Sequence, residues 1–246
     1  MNRVVKKEGI VLKTIPHREQ AQIVYILTSD GLDSAIVRGA LKPGSKTSVL
    51  TGQFNYISYQ RTNNRNLNTL TEGQIISSFP SIKQDYDKLQ AAFCIVEKLS
   101  SFNEQVTDKG QLFTLAIDCL NILEQTKYPH LLLLMFEVKL FYLLGIGPIF
   151  SSCVACEKKI TKGYFNVVGG GLVCDECCHE AGYDIDKDLT TLLKYLYLIK
   201  LEKVDDQFFT YYVGYDQVIN KIIDYYYEYH LGFKSNTKKV FSRAAQ

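Results

Sequence analysis

Five of the seven cysteines lie in one short stretch, CVACEKKITKGYFNVVGGGLVCDECC, at positions 153–178. Cys153 with Cys156 and Cys174 with Cys177 form two C-x2-C pairs, and 17 residues separate the pairs. This spacing is typical of a four-cysteine zinc site. Zinc binds thiolate sulfurs at the corners of a tetrahedron, and each pair supplies two sulfurs from one tight turn. The pattern therefore predicts that the two turns meet at one Zn²⁺ ion.

The residues between the two pairs predict a short hairpin. The stretch KGYFNVVGGGLV has the alternation of two strands, and Gly169 to Gly171 supply the reversal. A hairpin with a cysteine pair at each end is a zinc ribbon, here at about residues 150–182. Because four thiolates close the coordination sphere, we expect a structural ion. The H-x-E and P-C-x-x-C signature of zinc deaminases is absent from the sequence.

Two alternatives to this ligand set stay open. Cys178 or His179 could replace Cys177, although the symmetric gaps favour Cys177. The thiols could instead be buried or redox-active, but a thioredoxin-like dithiol needs one C-x-x-C within a βαβ pattern. Cys94 and Cys119 lie in apolar helical stretches and are predicted to be core residues.

The cysteine count and the N-terminal residues predict a cytoplasmic protein. Seven is an odd number, which argues against a disulfide framework and for reduced thiols. The opening MNRVVKKEGIV has no apolar segment of the kind that a signal peptide carries.

The first 80 residues predict a small β-barrel. Turn-forming segments separate five short runs that are rich in Val, Ile and Tyr, and such runs are typical of strands. The runs are EGIVLKTI, AQIVYILTS, DSAIVRGAL, FNYISYQRT and NTLTEGQIIS. The commonest five-stranded closed barrel is the oligonucleotide-binding (OB) fold. Residues 1–80 are therefore predicted to be an OB domain.

After Pro80 the apolar residues recur every three or four positions, which predicts helices. Such patterns cover residues 82–99, 111–125, 130–144, 187–200 and 215–230. Glu137 and Lys139 interrupt the most apolar run, HLLLLMFEVKLFYLLGIGPIF, so it predicts a buried core helix and not a membrane span. Residues 81–246 are predicted to be a helical domain with the ribbon inserted, which gives an α+β chain.

The charges are unevenly distributed. Residues 1–80 hold 10 of the 28 Lys and Arg and 5 of the 26 Asp and Glu, a net charge of +5, whereas the rest of the chain has a net charge of −3. Bases that neutralise phosphates release counterions, so the basic barrel predicts a nucleic-acid partner. The alternative is a solvated charged face with core aromatics. The candidate contacts centre on Arg38, Lys42 and Lys46, and Lys13 and Arg18 are further candidates. The alternative DNA site is the other face of the barrel, with Lys6, Lys7, Arg61 and Arg65, or the basic tail. Phe54, Tyr56 and Tyr59 are candidates for stacking on bases.

No enzymatic site is predicted. The segment GALKPGSKT at 39–47 resembles a phosphate-binding loop, but Ser45 stands where the lysine should be and no helix follows. None of the four histidines lies in a recognisable catalytic arrangement.

The ordered set of segments resembles the RecO family of bacterial recombination mediators over nearly the whole chain. GIVLKTIPHREQAQIVYILTSDG is similar to the family's opening hairpin and VRGALKPGSK to its basic loop. LNTLTEGQIISSFPSIKQDYDKL resembles the junction between barrel and helices. The ribbon matches are MFEVKLFYLLGIGPIFSSCVAC and GGGLVCDEC, and YYYEYHLGFKSNTKKVF resembles the closing helix and basic tail.

The resemblance implies a protein without catalytic activity, associated with the bacterial nucleoid. Such proteins bind single- and double-stranded DNA and anneal complementary strands. They contact the C-terminal tail of single-strand-binding protein, and with RecR they help RecA to replace it. The rival hypothesis is an RNA-binding adaptor of translation or transcription with an OB barrel and a zinc ribbon. A zinc-dependent hydrolase or deaminase ranks third.

Overall fold

The computed structural model describes residues 4–62, 67–178 and 184–244. The chain divides into two compact units. The first combines residues 1–85 with 98–124, and the second combines residues 86–97 with 125–246. One helix contributes its first part to the second unit and its last part to the first.

The first unit contains the barrel. Its five strands close in the order β1-β2-β3-β5-β4, which is the strand order of an OB fold. All pairs are antiparallel except β3 with β5, which pair in parallel at Ala35 and Ile36. The strands are β1 Val4–His17, β2 Ala21–Thr28, β3 Gly31–Val37, β4 Tyr56–Thr62 and β5 Asn68–Ser77. The prediction of a five-stranded OB-type barrel is confirmed.

Alternate residues of the strands fill the barrel, because side chains of a strand point to opposite faces in turn. Val24 and Ile26 of β2, and Ala35 and Val37 of β3, are fully buried. Strand β1 pairs with β4 through its first half and with β2 through its second half. At the bend, an added Cβ on Gly9 would lie 2.6 Å from the carbonyl oxygen of Leu27. Glycine therefore permits the two strands to approach where β1 changes partner.

Helices follow the barrel. They are α1 Pro80–Gln84, α2 Tyr86–Phe102 and α3 Lys109–Gln125. The carboxylate of Glu124 accepts hydrogen bonds from the backbone N–H groups of Ser81, at 2.8 Å, and Ile82, at 3.0 Å. These N–H groups lack partners within a helix of five residues, so a carboxylate from α3 satisfies the first turn of α1.

The second unit is built around a largely buried helix. Residues 131–138 of α4 Pro129–Leu143 are all buried, which confirms the predicted core helix. No helix among the described residues is long and apolar enough to cross a membrane. The other helices of this unit are α5 Lys187–Leu198, α6 Asp206–Thr210, α7 Asp216–Leu231 and α8 Asn236–Ala244. Strands β6 to β9, described below, lie between α4 and α5.

The C-terminal helix is held by charges. The ammonium group of Lys238 lies 2.8 Å from the carboxylate of Glu137, which is 0% exposed, and 2.8 Å from that of Asp224. Burial lowers the pKa of Lys238, but the two carboxylates outweigh burial and raise it above the usual value. Glu97 of α2 accepts from the backbone N–H of Asn236 at 2.8 Å. Residues that are distant in sequence therefore hold helix α8 in place, through the ion pairs of Lys238 and through the hydrogen bond at its N-terminus.

The α+β class and the five predicted helical segments are confirmed. The sequence pattern did not predict α6. It also did not predict α8, whose residues belong to the segment that was predicted to be a basic tail. The domain boundary at residue 80 stays a prediction. The compact units describe packing, and they join the barrel to residues 98–124.

We expect Lys238→Met to destabilise the protein by about 3–5 kcal/mol, because it leaves the buried carboxylate of Glu137 without its ammonium partner. Lys239→Met, at an exposed neighbouring position, should change stability by only about 0.5 kcal/mol. Denaturant titration of both variants measures the difference. Equal stability of the two variants would show that the network contributes nothing. Adding Glu137→Gln to Lys238→Met should recover part of the loss.

Candidate metal centre and nucleic-acid surface

Two tight turns carry the four paired cysteines. Cys153 ends β6 Ile149–Cys153, and the backbone N–H of Glu157 donates to its carbonyl at 2.9 Å to close the first turn. Glu157 has a φ of 62°, in the left-handed region that such a reversal needs. In the second turn, the N–H of Cys177 donates to the carbonyl of Cys174 at 3.1 Å. Each turn therefore directs two thiols to one side.

The four sulfur atoms converge. The Sγ atoms of Cys153, Cys156, Cys174 and Cys177 all lie within 4.8 Å of one another, and those of Cys156 and Cys174 are 3.8 Å apart. With a Zn–S bond of 2.3 Å, the edge of a thiolate tetrahedron is about 3.8 Å. Four soft sulfur donors at these distances are compatible with a metal site.

Backbone groups prepare one of the thiols for metal binding. Burial disfavours the thiolate of Cys153, but hydrogen bonds from the backbone N–H groups of Cys156, Cys174 and Ala155 outweigh burial and lower its pKa to about 6. The N–H of Cys174 lies 3.4 Å from this sulfur. Hydrogen bonds to the neighbouring thiols, Cys174 first, raise the pKa of Cys177 above its usual value. In the metal-free form the cluster therefore holds protons that a metal ion would displace.

A four-stranded sheet positions both turns. Its order is β6-β8-β7-β9, with β7 Tyr164–Asn166, β8 Gly171–Val173 and β9 Asp184–Ile185. Strands β7 and β8 pair antiparallel, which confirms the predicted hairpin around the glycines. An added Cβ on Gly171 would lie 2.6 Å from the carbonyl oxygen of Ile149. The third glycine of the run is thus required for β6 and β8 to pair.

Helix α7 anchors the ribbon. His230 donates through Nε2 to the carbonyl of Val167 at 2.8 Å, and its ring lies 4.2 Å from that of Tyr226. Phe165 is fully buried between Phe150 and Tyr226, with ring centroids 5.8 Å and 6.0 Å away. Because the carbonyl can only accept, the proton of the imidazole must lie on Nε2. The sequence predicted a capping or surface role for His230 near the end of a helix, whereas its side chain contacts the ribbon.

The fifth cysteine has a different environment. Cys178 is buried, and its thiol donates to the carbonyl of Asp175 at 3.3 Å. It is not one of the four converging thiols. His179, the other alternative ligand, lies outside the described residues. The choice of Cys177 over Cys178 stays a prediction, and the geometry groups Cys177 with the other three. Cys94 and Cys119 are fully buried in α2 and α3, as predicted.

The barrel carries a compact basic loop between β3 and β4. Arg38, Lys42 and Lys46 are all exposed on it. Successive turns give the loop its shape, Gly44 takes a φ of 72°, and the hydroxyl of Thr47 donates to the carbonyl of Arg38 at 3.5 Å. We call residues 38–47 the basic loop. The sequence prediction of three adjacent exposed bases therefore matches their placement, whereas their contact with DNA stays a prediction.

A fourth base lies beside the basic loop. The backbone N–H of Leu41 donates to the carbonyl of Gln20 at 3.4 Å, which joins the basic loop to the β1–β2 turn. Arg18 begins that turn and is exposed. Strands β2 and β3 pair at Gln22 and Val37 next to the same end of the barrel. In OB folds the β1–β2 loop and the β2–β3 face bind oligonucleotides, so these bases lie where such ligands bind.

Lys13 and Lys6 lie on β1. Both are exposed, and Lys13 is opposite Tyr25 of β2. Tyr25 is 36% exposed on the β2–β3 face, so it can present an aromatic ring beside a base. Tyr25 was not among the predicted contacts, although its alternation with the inward-pointing Val24 and Ile26 is a signal of exposure.

Two of the predicted DNA-binding residues form ion pairs with acidic residues of the barrel. Lys7 lies 2.9 Å from Asp30. Arg61 is only 12% exposed and its Nε lies 2.6 Å from Asp33, which also accepts from the hydroxyl of Tyr59 at 2.7 Å. Both residues therefore have acidic partners within the barrel, and their contact with DNA stays a prediction. Arg65 lies outside the described residues.

The predicted stacking residues need correction. Phe54 is 2% and Tyr59 1% exposed, so both belong to the core and cannot stack on bases. Tyr56 is half-buried and its hydroxyl donates to Glu8 at 2.7 Å. Burial, together with this carboxylate, raises the pKa of Tyr56 to about 12. Tyr59 lies on β4 and fills the interior of the barrel, whereas Phe54 is buried in the turn before that strand. The local sequence pattern did not distinguish either burial from a surface role.

Comparison with known proteins covers both units. The family model described as recombination protein O N terminal matches residues 1–79, and the one described as recombination protein O C terminal matches residues 83–239. The chain is 28% identical over 202 residues to DNA repair protein RecO of Halalkalibacterium halodurans, covering 81% of this chain and 80% of the relative. It is 30% identical to DNA repair protein RecO of Clostridium perfringens over 204 residues, 82% and 83% of the two chains. For DNA repair protein RecO of Bacillus subtilis the identity is 28% over 204 residues, 82% and 80% of the two chains.

We expect Cys177→Ser to abolish metal binding and Cys178→Ser to retain it, because only the former sulfur lies in the converging group. Elemental analysis of the reduced wild-type protein should find about one divalent metal ion per chain. Retention of metal by Cys177→Ser together with its loss from Cys178→Ser would reverse the ligand assignment. The absence of metal from all three proteins would contradict a metal site.

Proposed function

The chain belongs to the RecO family of DNA repair proteins, and on that basis we propose that it is a recombination mediator that works by binding DNA. In this proposal it anneals complementary strands and helps to load RecA onto DNA that single-strand-binding protein covers. A role in DNA repair and recombination follows from the family itself. The annealing and loading steps are the parts that need testing.

One observation carries the DNA-binding part of the proposal, the adjacency of the basic loop and the Arg18 turn. Together they place Arg18, Arg38, Lys42 and Lys46 at one end of an OB-type barrel. Four exposed bases on two adjoining turns can follow a phosphate backbone without reading its sequence. Lys13 would extend this track along β1, and Tyr25 would stack on a base. Lys6, on the half of β1 that pairs with β4, would be a separate contact with DNA. We assign the main DNA surface to this end of the barrel, within the domain predicted at residues 1–80.

The four converging cysteines would hold a structural zinc ion. Bound there, zinc would supply a cross-link between the two turns and stabilise the ribbon at about residues 150–182. The chain's own residues then hold the ribbon against α7 through His230 and Phe165. No step of the proposed activity passes through the metal, and we propose no enzymatic reaction for the protein.

Two protein partners complete the proposal, RecR and the C-terminal tail of single-strand-binding protein. The tail is a short acidic peptide with a terminal carboxylate, and it suits an apolar groove flanked by lysine or arginine. We place it on the helices after residue 80. Residues that contact either partner are not assigned.

Replacing Arg38, Lys42 and Lys46 together by Glu should weaken DNA binding equally for all sequences, because phosphate contacts do not read bases. Loss of three phosphate contacts should lower the slope of log K against log salt by about two units on single strands and nearer three on duplex. Fluorescence anisotropy at several salt concentrations gives both values.

The matched control for this variant is Lys200→Glu, Lys203→Glu and Lys239→Glu. It makes the same change in net charge at exposed positions outside the barrel. Both proteins should remain folded, since exposed charges usually change stability by about 0.5 kcal/mol. A folded loop variant with the affinity and salt slope of the wild type would move the DNA site elsewhere.

The mediator activity is tested with complementary DNA strands that single-strand-binding protein already covers. We expect the wild-type chain to accelerate annealing and the loop variant to lose most of this acceleration while the control variant keeps it. Annealing of bare strands, without acceleration on covered strands, would support DNA binding but contradict the mediator role. A fluorescent peptide with the sequence of the tail, titrated into the full-length chain, separates loss of tail binding from loss of DNA binding.

A further inference from the structure

The four converging cysteines of the ribbon are unequally exposed. Cys156 is exposed and Cys177 is half-buried, whereas Cys153 and Cys174 are buried. A metal ion binds cysteines as thiolates, which is also the form that oxidants attack. Among the thiolates of one cluster, exposure then decides which sulfur is oxidised first. A dissolved oxidant therefore reaches Cys156 before the other three.

A second sulfur lies next to that of Cys156. Its Sγ atom is 3.8 Å from the Sγ atom of Cys174, which belongs to the other turn. A disulfide bond is about 2.05 Å long, so the two atoms must approach by about 1.8 Å to form one. Because Cys174 is buried, it meets the oxidised sulfur of Cys156 and not the oxidant itself. The two residues thus combine an accessible thiol with a protected thiol that can react with it.

The other cysteines of the chain are protected from a dissolved oxidant. Cys94 and Cys119 are fully buried in helices α2 and α3. Cys178 is also buried, and its thiol donates to the carbonyl of Asp175. Oxidation should therefore be confined to the four converging cysteines.

We propose that Cys156 and Cys174 are an oxidative modification site, at which a hydroperoxide converts the two thiols to a disulfide and releases the metal ion of the ribbon. The release rests on the metal site proposed above, whereas the disulfide requires only the two sulfurs. Neither part depends on DNA binding.

The reaction has two steps and consumes one molecule of hydroperoxide. The thiolate of Cys156 attacks the terminal peroxide oxygen, so that an S–O bond forms and the O–O bond breaks. The departing alkoxide or hydroxide takes up a proton, and Cys156 becomes a sulfenic acid. The sulfur of Cys174 then attacks the sulfur of Cys156, and the S–O bond breaks as the S–S bond forms. Hydroxide leaves and is protonated to water. In total the two sulfurs lose two electrons, which the peroxide oxygens accept.

The disulfide would replace the cross-link that a metal ion provides. Only Cys153 and Cys177 remain as thiols of the cluster, and two ligands do not complete the tetrahedron of a structural zinc ion. The new bond joins the same two turns that the metal would join. The contacts that His230 and Phe165 make between the ribbon and α7 involve no cysteine. The ribbon should therefore lose its metal and stay folded against α7.

Hydrogen peroxide, added in small excess to the full-length chain loaded with zinc, tests the proposal. A zinc-binding dye follows the metal, and alkylation of the remaining thiols before peptide mass spectrometry locates the disulfide. We expect the loss of about two of the seven thiols per chain, the release of about one zinc ion, and a peptide pair joined through Cys156 and Cys174. Dithiothreitol and fresh zinc should reverse both changes. Circular dichroism should show that the oxidised chain is folded.

Three variants separate the roles of the sulfurs. In Cys174→Ser, Cys156 has no partner, so its sulfenic acid should persist and be captured by dimedone. Cys156→Ser should form neither this adduct nor the disulfide between the turns. Because these two variants lack a metal ligand, they are compared with the metal-free wild type. Cys178→Ser is the matched control, because it removes a neighbouring thiol outside the converging group. It should form the same disulfide and release zinc like the wild type.

A disulfide within one turn, Cys153 with Cys156 or Cys174 with Cys177, would overturn the proposal. So would a disulfide that includes Cys178, or a chain whose seven thiols all survive the peroxide. Zinc that stays bound after the disulfide has formed would contradict the release. If the chain holds no metal, the mapped disulfide alone decides. A failure of DNA binding leaves each of these measurements unchanged.

Discussion

The second unit depends on one buried charge, the carboxylate of Glu137. It lies at 0% exposure in the middle of the most apolar helix of the chain, where an unpaired charge would be strongly unfavourable. Its partner Lys238 comes from the last helix, 101 residues further along, and Asp224 of α7 shares the same ammonium group. The chain's C-terminal helix must therefore return to the core. Apolar packing forms the core of this unit, and the ion pairs of Lys238 determine that α8 packs beside α4 and α7.

Carboxylates from distant helices also begin two short helices. Glu124 binds the free N–H groups of α1, and Glu97 binds those of α8. Neither helix is long enough to be stable alone, since helix formation has an unfavourable nucleation step. In each case a negative charge at the N-terminus satisfies donors that would otherwise lack partners. These contacts stabilise two short helices whose sequences alone would not keep them helical.

The two candidate sites use different physics. The ribbon gathers four thiols whose reaction with a metal ion would replace a larger hydrophobic core, which so small a sheet cannot build. The basic end of the barrel relies on exposed charges held by turns, and these can meet phosphates without reorganising the core. Strand β3 has two roles, one in the interior of the barrel and one in positioning the basic loop. Its inward side carries Asp33, which holds Arg61 and Tyr59, and its end leads into the basic loop.

The sequence alone determined the features that depend on local spacing. The C-x2-C pairs, the glycine reversal, the five strands and the periodicity of the long helices are all repeats over a few residues, and the structure has each of them. Arg38, Lys42 and Lys46 were predictable as exposed bases because turn residues surround them. Tertiary structure decided which side chains are buried, which are exposed and which form ion pairs. Only the closed barrel shows that Phe54 and Tyr59 are core residues and Tyr25 is exposed, that Arg61 is engaged by Asp33, and that Arg18 lies beside the basic loop. These outcomes depend on which strands and helices meet, and pairing between residues far apart in the chain leaves no local pattern in the sequence.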